Sequence, residues 1–428
     1  MNEISWSGRA LASFAADPRR AFALGEIHAR PYPLIDPASA VLELAFMSDG
    51  DGDIALLTDL ALRRGVAPPA ENARTFTLNS GKGRLRWERH TEFSTYSWAG
   101  PPPERFGMMV EGHPFGADFA APGPLVAGVH LEIRPQDDRA SAALDVFERS
   151  SLCVSAVEQG LAQVATDFRQ DGDGLTRILV LDDGLTPARV GALAKRLIEI
   201  EIYRTLALFG LPLAQEVAPR VRAVEDRFAE ITQEMRARSY ASRVLLDEIT
   251  EAAAEVEAAS ATVLYRFGAS RAYGEIVRER LESLAEAPIA GFESWSGFLQ
   301  RRVGPALRTC RSLEERQIAL SEKLARAANL LRTRIDVELE HQNRDLLASM
   351  NRRAQVQLRL QQTVEGLSVA AIAYYVVGLF GYVAKGLDHD GASLGSPLMI
   401  AGFVPVAILA VWFLVHRIRR SHGEDHPD

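Results

Sequence analysis

Two long stretches near the C-terminal end of the chain are hydrophobic throughout. Residues 366–384 and 397–415 carry no charged side chain. A membrane-spanning helix needs about 20 mostly apolar residues, and each stretch is long enough. A buried hairpin in a soluble core is the alternative, but core helices of this length normally keep a polar face. The pattern therefore predicts two transmembrane helices in a lipid bilayer.

Basic residues flank the two predicted spans and set their orientation. The arginines before the first span and after the second are Arg344, Arg352, Arg353, Arg359, Arg417, Arg419 and Arg420. The connecting loop, residues 385–396, has one lysine against Asp388 and Asp390. Positively charged flanks stay on the cytoplasmic side. We therefore expect a bacterial inner-membrane protein with both ends in the cytoplasm and residues 385–396 outside. Residues 1–16 agree, because they lack the apolar core of an export signal.

A helical repeat of apolar residues fills the region before the membrane. Segments 185–207, 220–287 and 292–360 have this repeat, with Pro212 and Pro219 expected at helix starts and Pro288 and Pro305 near breaks. One apolar stripe comprises Leu320, Leu324, Ala327, Leu331, Ile335, Leu339, Leu346, Met350 and Ala354. Such a face needs a partner, either in a bundle of the same chain or on a second copy. The pattern leaves both arrangements open.

The first 185 residues have the alternation and turn composition of a mixed domain. Strands are predicted at 41–47, 74–78, 85–97, 126–133, 152–157, 163–168 and 176–181, and helices at 53–64 and 138–149. Residues 81–83 and 170–174 have the composition of turns. Hairpins followed by helices argue against a doubly wound nucleotide-binding fold.

The predicted fold class is therefore an α+β N-terminal domain followed by long α-helices and a C-terminal two-helix transmembrane hairpin. The corresponding domains are residues 1–185, 186–365 and 366–420, and the last of these includes a basic cytoplasmic tail.

Composition adds three limits. A length of 428 residues, 47% hydrophobic and 24% charged, fits an ordinary folded protein of two or three domains. The 48 basic and 56 acidic residues give a net charge of −8, which argues against nucleic-acid binding. Cys153 and Cys310 are too few for a Cys-rich zinc site and indicate a reducing compartment.

Two polar clusters carry candidate metal chemistry. His28 lies near the N-terminus, and Glu88, His90 and Glu92 alternate within one predicted strand. Alternate residues of a strand share a face, so two carboxylates and an imidazole could hold a divalent cation, with His28 joining from a loop. The alternative, which we favour, is a polar sheet face paired with neighbouring arginines.

Other motifs argue against catalysis. Asp49, Asp51 and Asp53 resemble the start of a calcium loop, but Ile54 and Leu60 stand where glycine and glutamate are required. We therefore expect a solvated turn there. The chain has no phosphate loop and no G-x-S-x-G elbow, and neither cysteine neighbours a histidine. We expect a protein that is not an enzyme.

Several blocks of the chain carry a family resemblance. They are residues 25–31, 87–93, 195–204, 302–310 and 357–368. These blocks resemble a bacterial family of uncharacterised membrane-anchored proteins, a domain-of-unknown-function family. The resemblance covers nearly the whole chain. It implies a membrane location and brings no assigned activity or site residue.

The layout of residues 290–420 is also similar to that of the CorA-type magnesium transporters. In those proteins long helices run into a first span, followed by a short outer loop, a second span and a basic tail. Of their Gly-Met-Asn signature only the glycine is present here, as Gly381, and it is followed by Tyr382 and Val383. The resemblance implies a channel or transporter whose first spans line a pore. The pore and outer-loop residues would be Ser368, Tyr374, Tyr375, Gly378, Gly381, Asp388 and Asp390.

The leading expectation is a membrane-anchored homo-oligomer with a large cytoplasmic part. It would act as a binding or scaffold module, and ion transport is the alternative.

Overall fold

A computed structural model describes residues 17, 19–28, 32–48, 50–137, 140–237, 241–387 and 397–422. The chain divides into two compact units, residues 1–328 and 329–428. The predicted fold class is confirmed, because a sheet domain is followed by long helices and an apolar helix pair. The three-domain division at residues 185 and 365 stays a prediction.

A mixed sheet lies at the centre of the first unit. Within the described residues its strands are β1 (Ser39–Met47), β2 (Thr75–Ser80), β3 (Gly83–Arg89), β4 (Phe93–Gly100), β5 (Leu125–Pro135), β6 (Cys153–Val157), β7 (Ala162–Thr166), β8 (Thr176–Asp182) and β9 (Ala287–Pro288). Their order across the sheet is β2-β3-β4-β1-β5-β8-β7-β6-β9. The β5–β8 pair is parallel, and the other neighbouring strands are antiparallel.

The helices of the described residues are α1 (Arg19–His28), α2 (Asp51–Arg63), α3 (Ala140–Leu144), α4 (Pro187–Leu208), α5 (Gly210–Ala237), α6 (Ser242–Leu284), α7 (Trp295–Leu387) and α8 (Pro397–His422). From α3 to α7 each helix is longer than the one before it. Pro187 begins α4, a position where the missing N–H of proline costs nothing.

Apolar cores cover both faces of the sheet. On one face α2 packs over β1, β3 and β4 around Leu57, Trp87 and Tyr96. On the other face α4 packs together with the end of α6 and the start of α7, and this core includes Leu197 and Trp295. The central strand β5 has eight consecutive buried residues, which accounts for its almost unbroken apolar sequence.

The last strand closes the sheet from far along the chain. Strand β9 has two residues and pairs with β6, so that Pro288 lies opposite Ser155. The neighbouring Glu286 accepts hydrogen bonds from Ser155 Oγ at 2.6 Å and from the backbone N–H of Trp295 and Ser296, at 3.1 and 2.8 Å. One carboxylate therefore joins the sheet edge to the first turn of α7, where its negative charge suits the helix dipole.

Most predicted elements are confirmed, including the hairpin turn at residues 81–83, but three expectations are wrong. The continuous strand over 85–97 is broken, because β3 ends at Arg89 and β4 begins at Phe93. The helix predicted at 138–149 is limited to α3. Pro219 and Pro305 lie inside α5 and α7.

Packing explains why α5 continues through its internal proline. Ala214, Val217, Val221 and Val224 are buried at helical spacing on both sides of Pro219. The burial of this continuous face outweighs the loss of one backbone hydrogen bond.

The first part of the apolar stripe on α7 is buried, and the later part is exposed. Leu320 and Leu324 are buried in the first unit, where α7 contacts α5 and α6. Arg316 Nε donates to Glu225 Oε1 at 3.0 Å, and Ser321 Oγ donates to Glu257 Oε1 at 2.7 Å. A bundle of the same chain therefore covers the first part of the stripe. In the second unit, Leu339, Leu346 and Met350 are 50–59% exposed.

In the second unit the two apolar helices form a pair. The rings of Phe380 and Phe403 stack with centroids 4.0 Å apart, and Ala373, Ala384 and Ala407 are buried. The helical segments Trp295–Gly386 and Leu398–Arg417 each contain an 18-residue window that is long and apolar enough to cross a membrane, with only 11% of each window buried.

Candidate functional site

A small cavity lies between the sheet and α4 in the first unit. Its volume is about 60 Å³. Strands β1, β3 and β4 form one wall and α4 forms the other. The ionisable residues that line it are Glu43, Arg86, Glu88, His90, Lys195, Glu199 and Tyr203. Such a concentration of charge inside an apolar core marks this cavity as the candidate site.

Strand register brings the polar side chains together. Glu43 on β1 is paired with Ser97 on β4, which is paired with Arg86 on β3. In the neighbouring row Thr95 is paired with Glu88. Residues two apart on a strand share a face, so both rows point toward α4.

Two cations hold the carboxylate of Glu88. A guanidinium nitrogen of Arg86 lies 2.6 Å from Glu88 Oε1, and Lys195 Nζ lies 3.3 Å from Oε2 and 3.4 Å from Oε1. The three side chains are only 10–18% exposed. The lysine therefore ties α4 to the sheet across the cavity.

Glu43 is a buried acid of the site with a raised pKa. Burial raises its pKa to about 7, and the negative charge of Glu88 acts in the same direction. Hydrogen bonds with Ser97 and Thr95, and the charge of Lys195, partly offset this. Glu43 can therefore take up or release a proton near neutral pH.

Gly191 lets an extended segment close one side of the cavity. A Cβ atom at Gly191 would lie 1.7 Å from the carbonyl oxygen of Pro33. The backbone N–H of Ile35 donates to Pro187 O at 3.3 Å. Only a residue without a side chain lets residues 33–35 lie this close to α4.

The structure brings two residues of the predicted metal site to the cavity and places Glu92 elsewhere. Glu88 and His90 line the cavity, and the His90 ring stacks on Phe93 with centroids 4.2 Å apart. His28 belongs to α1, and its side chain is outside the described residues. No group of three His, Cys, Asp or Glu side chains in the described part of the chain could hold a metal ion. The metal site with His28 stays a prediction.

Glu92 faces α6 instead of the cavity. Its carboxylate accepts hydrogen bonds from Arg266 at 2.6 and 3.1 Å and from Tyr265 at 3.2 Å. Burial alone would raise the pKa of Glu92, but these bonds and one with Tyr273 lower it below its usual range. Glu92 therefore serves as an anchor between the 90–92 turn and α6.

The predicted pore residues that the structure describes lie on α7. Ser368 Oγ donates to Val364 O at 2.8 Å, within its own helix. At 3.6 residues per turn, Ser368 and Tyr375 are on the side opposite the buried Ala373 and Ala384. Tyr374 and Tyr375 are exposed, and the nearest atom to a Cβ at Gly381 would be Ile400 Cδ1 at 3.8 Å.

The remaining predicted pore and outer-loop residues are Gly378, Asp388 and Asp390. Around Gly378 a Cβ would meet open space. Asp388 and Asp390 lie outside the described residues. The pore assignment as a whole stays a prediction.

The opposite face of the sheet holds a buried polar cluster around Asp53. Its Oδ1 accepts hydrogen bonds from Trp87 Nε1 at 3.2 Å, Ser94 Oγ at 2.6 Å and the Tyr96 hydroxyl at 2.6 Å, and Ser48 bonds to Oδ2. Asp53 is completely buried, so the expected solvated turn is wrong at this residue. Burial is the largest cause of the raised pKa of Tyr96, and the hydrogen bond to Asp53 and the charge of that carboxylate raise it further.

Sequence reasoning missed Glu43, Arg86 and Lys195 as parts of one site. Glu43 interrupts the apolar run 41–47, and Lys195 lies three residues before Ile198 on a helix face that is otherwise apolar. The sequence signal for such a site is a charged residue at a position where the apolar pattern predicts the core. The partner of each charge lies on another element, which spacing alone does not show.

A protein-family model matches nearly the whole chain. Its description is "Protein of unknown function (DUF3422)", and it matches residues 15–422. This confirms the resemblance to a domain-of-unknown-function family. No curated protein matches the chain. The match does not bear on the resemblance to CorA-type transporters.

Proposed function

Because this chain belongs to the DUF3422 family, whose description assigns no activity, we propose a function from its own architecture. The protein is a membrane-anchored, non-catalytic module. The α7–α8 hairpin holds it in the bacterial inner membrane, and the first unit stays in the cytoplasm as a binding module. The observation that carries the proposal is the low burial of the two apolar helices.

Exposed apolar surface on this scale supports a lipid environment. The large apolar side chains exposed along the pair include Leu379, Val383, Leu409, Phe413 and Leu414, each 58–65% exposed. Soluble monomers rarely expose contiguous apolar patches larger than a few hundred Å². A bilayer covers these side chains, and the helical backbone satisfies its own hydrogen bonds there.

Cysteine labelling tests both membrane insertion and orientation. We expect Ser393→Cys to react with a membrane-impermeant maleimide in intact spheroplasts, and Ser421→Cys to react only after permeabilisation. The native cysteines give little background, because Cys153 and Cys310 are buried and burial raises the pKa of both, to about 12 for Cys153. The full chain should stay in the membrane pellet after an alkaline carbonate wash. Soluble protein, or labelling of Ser421→Cys from outside, would contradict the proposal.

We further propose that the module self-associates through α7 of the second unit. Six exposed residues there have the 3-4 spacing of a coiled-coil seam: Leu339, Leu346, Met350, Leu360, Val364 and Leu367. Asn343, Arg353 and Gln357 occupy the other positions of this seam. Copies anchored in one membrane share an orientation, so the occupant proposed is a parallel second copy.

A single glutamate in this seam should disrupt the assembly. For Leu346→Glu we expect a lower native mass in detergent than for the wild type, because each copy would bring a charge into the apolar contact. The matched control is Leu358→Glu, at a residue that is similarly exposed (51% against 59% for Leu346) but lies off the seam. Native mass spectrometry measures the change. A monomeric wild type, or equal effects of both variants, would refute the assignment of this seam.

We do not favour the alternative function, which is ion transport. The hydroxyl of Ser368 donates to Val364 O within its own helix. Small and hydroxyl-bearing residues in a span also serve close helix packing.

A further inference from the structure

We propose that the cavity between the sheet and α4 binds a short-chain monocarboxylate of about four to six non-hydrogen atoms. The proposal concerns the first unit alone. It depends on neither the membrane anchor nor self-association, so its failure would leave both intact.

Arg86 on the sheet and Lys195 on α4 have more N–H donors than their ion pairs use. Arg86 carries five N–H donors and Lys195 three, and the ion pairs of both go to Glu88. The Lys195 distances of 3.3 and 3.4 Å are longer than the 2.7–2.9 Å typical of charge-assisted bonds. The ammonium group is therefore not held tightly and can donate to a ligand oxygen. Of the carboxylates that line the cavity, Glu199 is paired with Arg280, Glu88 is shared by the two cations, and burial raises the pKa of Glu43 to about 7. Arg86 and Lys195 therefore keep donors for an anionic acceptor.

The size of the cavity limits the ligand. One water-sized sphere needs about 10–15 Å³, and the cavity offers about 60 Å³. This is room for about four to six non-hydrogen atoms. A nucleotide, a sugar or a peptide is too large, whereas acetate, propionate and butyrate fit.

The apolar residues of the lining select among small anions. Phe93 on β4 and Ile198 and Ile202 on α4 are apolar and line the cavity together with the charged residues. These apolar side chains would shield an alkyl tail of one to three carbons from water, which favours its binding. Sulfate or phosphate would leave oxygens facing apolar side chains without hydrogen bonds. Cationic and apolar side chains lie next to each other on both walls, and this mixed lining matches a carboxylate with a short tail.

Titration of the full chain in neutral detergent tests the ligand class. Propionate is compared by calorimetry with propionamide, propylamine and sulfate. We expect saturable binding of propionate in the sub-millimolar range, at least tenfold weaker binding of propionamide, and none of propylamine or sulfate. Absence of saturation by propionate, or equal binding of propylamine or sulfate, would overturn the proposal.

Substitutions then locate the site. Lys195→Met keeps an unbranched side chain that is one atom shorter and removes the charge, so we expect propionate to bind at least tenfold more weakly. The matched control Lys82→Met, in the exposed turn between β2 and β3, should bind as the wild type does. Arg86→Met is a second variant that leaves the Lys195–Glu88 pair in place. Near-UV circular dichroism checks folding, and wild-type binding by both cavity variants would refute the site.

Discussion

Replacing Asp53 by alanine should lower the free energy of unfolding of the first unit by about 3–5 kcal/mol. The carboxylate accepts bonds from Trp87, Ser94, Tyr96 and Ser48 in a completely buried position. Alanine would leave these donors without an acceptor and open a small void. Urea denaturation of the full chain, followed by tryptophan fluorescence, measures the loss.

The same helix supplies a matched control. Asp59 in α2 is exposed and forms a 2.8 Å ion pair with Arg63. Surface pairs of this kind contribute about 0–1 kcal/mol, so Asp59→Ala should leave the denaturation midpoint nearly unchanged. Asp53→Asn should fall between the two, since it keeps one acceptor oxygen. Equal midpoints for Asp53→Ala and Asp59→Ala would show that the buried cluster does not stabilise the sheet.

Glu43 should make the stability of the first unit depend on pH. Burial raises its folded-state pKa to about 7, above the usual 4.5, so the folded protein holds this proton more tightly than the unfolded chain does. The stabilisation is complete below pH 4.5 and is lost as the pH rises through 7. Between pH 5 and pH 8 the wild type should lose about 2–3 kcal/mol more than Glu43→Gln does.

The comparison between variants isolates this proton from its neighbours. The other ionisable and charged groups facing Glu43 are Arg86, Glu88, His90, Lys195, Glu199 and Tyr203. They are present in both proteins, so their own titration largely cancels in the difference. Glu71→Gln, at an exposed position before β2, controls for the loss of one carboxylate. Parallel pH profiles for the wild type and Glu43→Gln would contradict the prediction.

Local patterning was enough to predict most of the fold. Strands β1, β2, β5 and β8 begin and end within two residues of their predicted bounds, because alternation and turn residues enclose each of them. The missed turn at residues 90–92 has no such signal. His90, Thr91 and Glu92 contain neither glycine nor proline, so the alternation continues through the turn.

The candidate site could not be predicted from local patterning, because its contacts join residues that are far apart in the sequence. Lys195 and Glu88 are 107 positions apart, and Arg266 and Glu92 are 174 apart. The spacing of residues in a sequence predicts which side chains are neighbours on one helix or strand. These pairs instead form because α4 and α6 pack on the sheet. Glu88 and His90 were found as individual residues, but their shared cavity requires the register of β1, β3 and β4.

The late position of β9 in the chain has a consequence for biosynthesis. Strand β6 ends at Val157, and its partner β9 begins at Ala287. At 5–20 residues per second, the ribosome needs on the order of 10 s to make the intervening chain. During that time β6 is an unpaired edge, open to strand addition by other chains. Its pairing with β9 then covers this edge with a short strand ending in proline, which resists further addition. Nascent chains arrested before residue 287 should therefore be the species of this protein that most needs chaperone protection.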